Sequence, residues 1–319
     1  PHVMGNVPSA VAAAPVVDGM RNLTLSGLNP SHFEMNIEGK QTHLYTLHNS
    51  KGMEVCFTNF GARIVSIMVP DRNGKMQDVV LSYDNIAQYA DREHFGSDFG
   101  AAIGRYANRI NQGRITIDGK TIQLPQNNYG HCLHGGPTGW QYKVYDGRQL
   151  NDSTLQMSIF SPDGDNGFPG NVNATVTYTL TSDNSIDIRY EATSSKKTFI
   201  NMTNHSYFNL NGDPSHDGEN QMLYINADRY TPADTTYMTT GEELSVVGTP
   251  MDFRRLTPLS RDINNKLFDM TRNAGGFDHN WCLNTWRKGN DKIIAAALYS
   301  PATGIRMDVY TDEPGIQVY

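Results

Sequence analysis

The chain has 319 residues, a formal net charge of -7 and a pI near 5.8, so it is long enough for a stable core without crosslinks and too acidic for nonspecific capture of nucleic acid or an anionic membrane. No apolar run reaches membrane-spanning length. Cys56, Cys132 and Cys282 are far apart, odd in number and without metal-ligand spacing, which reads as buried thiols and leaves a small or neutral partner as the expectation.

Residues 1–35 read as a flexible leader. Its first part is rich in Ala, Val and Pro, but Pro8 and Pro15 interrupt it and no Lys or Arg precedes it, unlike an intact secretory signal. The expected compartment is the cytoplasm, with an export signal removed upstream of Pro1 as the alternative. From Gln41 onward the apolar period is two. Gln41 to His48 and Met53 to Asn59 read as strands around an Asn-Ser-Lys-Gly turn; Ile64 to Val69 and Asp78 to Leu81 follow, with Pro70 and Asn73-Gly74 between them. Arg114 to Ile117 and Lys120 to Leu124 flank Asp118-Gly119, the signature of a two-residue hairpin turn. Val172 to Leu180 alternates apolar and polar residues, and Ile186 to Tyr190 repeats the pattern. Met222 to Asn226, Lys292 to Tyr299 and Ile305 to Thr311 are later strands. The fold class expected is all-β, a large antiparallel β-sandwich, with 36–319 as one domain.

Patterning fails over Tyr89 to Ala107, Gln126 to Trp140, Ser161 to Gly170, His205 to Asn220 and Thr231 to Phe277, and long polar loops on regular strands are where chemistry is expected. Thr203-Asn204-His205-Ser206-Tyr207-Phe208-Asn209-Leu210 sets an imidazole among amides and hydroxyls, as suits an acid or base working near neutral pH. A satisfied structural histidine is the competing reading. Arg105 and Arg109 lie four apart with Asn108 beside the second; the Arg109 fork suits a substrate's oxygens and Asn108 a hydroxyl, against structural ion pairs for one or both arginines. His131-Cys132-Leu133-His134-Gly135-Gly136 adds an imidazole before two conformationally free glycines, without a zinc motif around it. Asp278 precedes His279, Asn280 and Trp281, the Trp being a ring-stacking or a packing residue. Asp163-Gly164-Asp165-Asn166-Gly167 departs from a calcium loop at Gly167 and Phe168 and reads as a tight acidic turn, leaving a structural calcium ion as the minor alternative.

Together Gly104-Arg105-x-Ala107-Asn108-Arg109-Ile110, Leu133-His134-Gly135-Gly136, Asn204 to Leu210, Phe277-Asp278-His279-Asn280 and Glu313-Pro314-Gly315-Ile316-Gln317 resemble the aldose 1-epimerases, or galactose mutarotases. The resemblance runs from about Asn36 to Tyr319, with the motifs in the family's order. It implies a galactose mutarotase-like supersandwich that interconverts α and β anomers of free aldoses such as glucose and galactose, needing no cofactor and no metal. On the same resemblance His205 is the general acid at the ring oxygen and His134 its hydrogen-bonding assistant. Asn108, Arg109 and Asp278 hold sugar hydroxyls, Ser206 and Tyr207 shape the site, and Glu313 lines the pocket. The partner implied is a monosaccharide, with no nucleic acid and no membrane, and the protein is expected to be a monomer.

The family's general base is a glutamate in a Leu-Glu-Thr-Gln-like motif downstream of the Pro-Gly segment, and Glu313 does not match that motif. The expectation is therefore a chain truncated at its C-terminus and itself inactive. A sugar-binding protein of the same fold without the chemistry is the alternative, and an epimerase of phosphorylated hexoses, which would present further basic residues to a phosphate, ranks below both.

Overall fold

The computed structural model describes residues 2–3, 22–212, 218–286 and 292–319. Residues 4–21 of the expected leader and 213–217 of the expected loop from His205 to Asn220 lie outside the described residues. The chain divides into two compact units, Pro1–Pro214 and Ser215–Tyr319.

In the first unit β1 (Leu44–His48), β2 (Glu54–Thr58), β3 (Arg63–Pro70) and β4 (Met76–Asp78) form an antiparallel meander. Its first turn closes because the Asn49 side-chain oxygen accepts from the Lys51 and Met53 N–H groups. Short pieces follow: β5 (Ala102–Ile103), β6 (Arg109–Ile110), the hairpin β7 (Arg114–Ile117) and β8 (Lys120–Gln123), and β9 (Cys132–Leu133). Asp118 and Gly119 both take the positive φ that the hairpin turn demands. A second meander comprises β10 (Asp146–Gln149), β11 (Thr154–Ser161), β12 (Val172–Leu180) and β13 (Ile186–Ser194), and β14 (Thr203–Asn204) returns to pair with β5.

Along β12 the alternation expected from the sequence is the burial pattern observed: Val172, Ala174, Val176, Tyr178 and Leu180 are buried while the residues between them are not. The two meanders meet through Phe57 and Tyr178, whose ring centroids are 4.7 Å apart, and the Tyr178 hydroxyl donates to the Ala62 carbonyl at 2.6 Å. Burying a side chain of this size contributes about 1.5–3 kcal/mol, and the hydrogen bond removes the cost of a buried hydroxyl. Part of the stretch counted with the leader packs as well, because Leu28 and Phe33 are fully buried in a cluster with Val65, Tyr89 and Phe99.

In the second unit β15 (Met222–Ile225), β18 (Thr257–Pro258), β20 (Ala296–Tyr299) and β21 (Arg306–Val309) make one antiparallel sheet. A second sheet contains β16 (Arg229–Thr231), β17 (Leu244–Ser245), β19 (His279–Cys282) and β22 (Gly315–Val318). Its core gathers Ile225, Tyr230, Met251, Phe253, Phe277 and Trp281. Trp281 is wholly buried and its indole N–H donates to the Met251 carbonyl at 2.9 Å, so it is a packing residue.

Two short helices, Ile86–Ala90 and Asp269–Ala274, escape a reading based on period because neither reaches two turns. The first starts where the Asn85 side chain accepts from the Gln88 N–H, and it buries Ile86 and Tyr89. Among the described residues no helix is long and apolar enough to cross a membrane.

Candidate active site

Two strand pairings in the first unit bring distant residues together. Pairing of β6 with β9 sets Arg109 opposite Leu133, and beyond it Asn108 and His134 exchange two hydrogen bonds. The His134 N–H donates to the Asn108 carbonyl at 3.1 Å, the Asn108 N–H donates to His134 Nδ1 at 3.0 Å, and both residues sit at positive φ. Glycine is required next in line. Gly135 has φ +79°, and a Cβ there would lie 2.1 Å from the Gly104 carbonyl oxygen. Farther along, Asn166 of the acidic turn accepts from the Thr138 N–H and hydroxyl and donates back to the Thr138 carbonyl, tying down the loop that carries His134.

Pairing of β5 with β14 places His205 beside residues 100–101: the His205 N–H donates to the Ala101 carbonyl at 2.8 Å and the Gly100 N–H to the His205 carbonyl at 3.1 Å. The Asn204 side chain reinforces the junction, donating to the Gly100 carbonyl and accepting from the Ser206 N–H. The His134 and His205 rings consequently meet edge to face, centroids 5.1 Å apart with planes at 89°. Tyr207 packs on the other side of His205 at 5.1 Å and is itself backed by Phe99. The Ser206 hydroxyl is buried and has no hydrogen-bond partner among the described residues, which leaves it able to serve a ligand.

The third member of this cluster is Asp98, which the sequence reading did not single out. One of its carboxylate oxygens and one ring nitrogen each of His134 and His205 all lie within 4.8 Å of one another. Arg63 fixes the segment from beneath. Its buried guanidinium donates to the carbonyls of Ser97, Phe99 and Gln141 and stacks over Tyr89, while the Ala101 N–H closes a turn on the Asp98 carbonyl. Nothing in the sequence separates Asp98 from its neighbour Asp91, which is occupied by His94.

Burial pushes the His134 imidazole down to about 4; His205 and Arg109 act in the same sense and Asp98 against it. The ring is therefore neutral near pH 7. Because Nδ1 accepts the Asn108 N–H, the ring's own proton sits on Nε2, so His134 is a hydrogen-bond donor there. That assignment also bears on metal binding. The spacing of Asp98, His134 and His205 could be shared by a cation, but with Nδ1 engaged and Nε2 protonated His134 has no free lone pair to give it, and the set suits proton transfer better.

The remaining candidates sort by partner. Arg109 is partly buried and its Nε donates to the Asn128 side chain at 2.9 Å; the Asn108 side-chain oxygen accepts from the Arg109 N–H. Arg105 is structural. It is buried and donates to Ser161, Pro162, Pro169, Gly170 and Thr198. In the acidic turn Asp165 accepts from Ser161, and Asp163 accepts from the Gly170 N–H and pairs with Lys196; internal donors thus occupy the carboxylates considered for calcium. His131 is buried with Nδ1 accepting from the Gln112 N–H and belongs to no metal-like group among the described residues.

Asp278 belongs to the second unit, at the start of β19, where Gln317 donates to its carboxylate at 3.0 Å. Glu313 is the residue of the Glu-Pro-Gly segment expected to line the pocket. It is exposed, and the β19–β22 register, which sets His279 against Val318 and Cys282 against Gly315, puts it at the opposite end of the pair from Asp278. Gln317, from the same motif, is the residue that reaches Asp278.

A profile of the aldose 1-epimerase family matches residues 43–319. The aldose 1-epimerase of Escherichia coli K12 is 39% identical over 282 residues, covering 88% of this chain and 79% of that protein. The galactose mutarotase of Rattus norvegicus is 38% identical over 270 residues, or 85% and 75% of the two chains. The crystal structure of a galactose 1-epimerase from Lactobacillus acidophilus NCFM superposes with a TM-score of 0.77 at 30% identity, covering 89% of this chain and 80% of that one. The motifs, the all-β fold and these similarities lead to one conclusion: the chain belongs to the aldose 1-epimerase family of carbohydrate isomerases.

Proposed function

We propose that the protein interconverts the α and β anomers of free aldohexoses, glucose and galactose among them, by opening and reclosing the sugar ring. In the opening step a base takes the proton of the anomeric hydroxyl, the C1–O1 bond becomes a carbonyl as the C1–ring oxygen bond breaks, and His205 gives a proton to the ring oxygen. Rotation about the C1–C2 bond followed by the reverse transfers gives the other anomer. His134 donates its Nε2–H to the same oxygen, Asn108 and Arg109 hold hydroxyls, and Ser206 and Tyr207 shape the space. The resemblance assigns the base to a glutamate downstream of Glu313 to Gln317.

The observation that carries this reading is the meeting of two imidazoles at 5.1 Å, of which His134 is held neutral as a hydrogen-bond donor. Polarimetry on fresh α-glucose and α-galactose tests it: the protein carrying that downstream glutamate is expected to speed the decay of optical rotation. Heat of binding in calorimetry with no acceleration would replace the enzyme by a sugar-binding protein.

A further inference from the structure

The geometry points to a role for Asp98, resting on the assignment of His205 as the acid. We propose that Asp98 is a positioning residue whose carboxylate holds the His205 ring and favours its proton-bearing form before transfer to the sugar.

A general acid must carry its proton when the substrate arrives. The His205 ring meets the His134 and Tyr207 rings at 5.1 Å each. The groups facing the cluster are Asp98 from the turn before β5, His134 and Arg109 from the β6–β9 pair, Tyr207 from the segment after β14, and Tyr142. Arg63 lies beneath and Arg92 over the Tyr142 ring. Asp98 is the one carboxylate in that set, and one of its oxygens lies within 4.8 Å of one ring nitrogen each of His134 and His205. His134 stays neutral, since burial outweighs the pull of Asp98 and the Asn108 N–H occupies its Nδ1, which leaves His205 as the imidazole for Asp98 to pair with as a cation. The Arg63 clamp on Ser97 and Phe99 gives the carboxylate a fixed place, and the Tyr142 hydroxyl, 3.5 Å away, is too distant to draw it aside.

Histidine-ring NMR titrations of the full chain and of Asp98→Asn test the proposal. The His205 midpoint is expected to fall by about one unit on removing a carboxylate at this range, and Asp98→Glu to recover at least half of the fall. A midpoint that moves by less than about 0.3 unit in Asp98→Asn overturns the proposal. Asp98 is only partly buried on a turn, and Asp98→Ser provides a second uncharged variant that must show the same fall. These titrations need no catalysis, so they decide the role of Asp98 even where polarimetry finds no mutarotation. Where polarimetry finds it, Asp98→Asn should move the limb of the rate profile at which the acid loses its proton to lower pH with KM little changed. A raised KM with the limb in place would instead make Asp98 a ligand for a sugar hydroxyl and overturn the positioning role.

Discussion

Burial and one backbone N–H decide the state of His134, and a second histidine obeys the same logic. His279 is almost wholly buried, its Nδ1 accepts the Asp278 N–H, and burial pushes it down to about 4. Both folded values lie below that of an exposed histidine, about 6.5. The unfolded chain therefore takes up protons on acidification that the folded chain refuses, and the stability from these rings, complete above about pH 6.5, is lost progressively as pH falls toward about 4. Asp78 and Glu54, pushed up by burial, act with the opposite sign over the lower part of that range, so the test is a difference. In urea denaturation His279→Gln should lose less stability than the parent between pH 6.5 and 4.5; equal losses would mean that His279 is not held neutral. The sequence makes a histidine's chemistry legible but not its tautomer or charge, because those depend on which backbone group faces it and on what buries it. Asp98 was missed for that reason.

At the scale of elements, the strands were legible wherever one face is buried, as in β12, and the turns wherever a side chain or a positive φ enforces them, as at Asn49 and at Asp118-Gly119. What the sequence could not show was that β14 pairs with β5 across about one hundred residues, which is what delivers His205 to Asp98. Two other loops converge there through glycine and asparagine. Gly135 admits the Gly104 carbonyl, and Asn166 holds Thr138. Gly135→Ala should therefore cost roughly 2–4 kcal/mol, combining the positive-φ penalty with a backbone clash, and should weaken activity by displacing His134. Gly74→Ala, at φ +80° in open space, supplies the control and should cost only about 1 kcal/mol. Equal costs in chemical denaturation would remove the clash from the explanation.

For the whole molecule, the all-β class follows from period and turn chemistry, whereas the division near Pro214 has no Gly/Ser-rich or charged linker to mark it. The first unit holds Asp98, Asn108, Arg109, His134, His205, Ser206 and Tyr207, and the second holds Asp278 with Gln317. Membership of the aldose 1-epimerase family rests on similarity along most of the chain; the assignment of proton transfer to His205 rests on the geometry of the first unit. The most direct test is the decay of optical rotation of fresh α-galactose at pH 7 with the parent protein and with His205→Asn, at concentrations where calorimetry shows both bind the sugar. The account predicts that the catalysed rate falls by about 10²-fold or more, the loss expected for a general acid. A rate within about twofold of the parent's, too small a change for the loss of an acid, would contradict it.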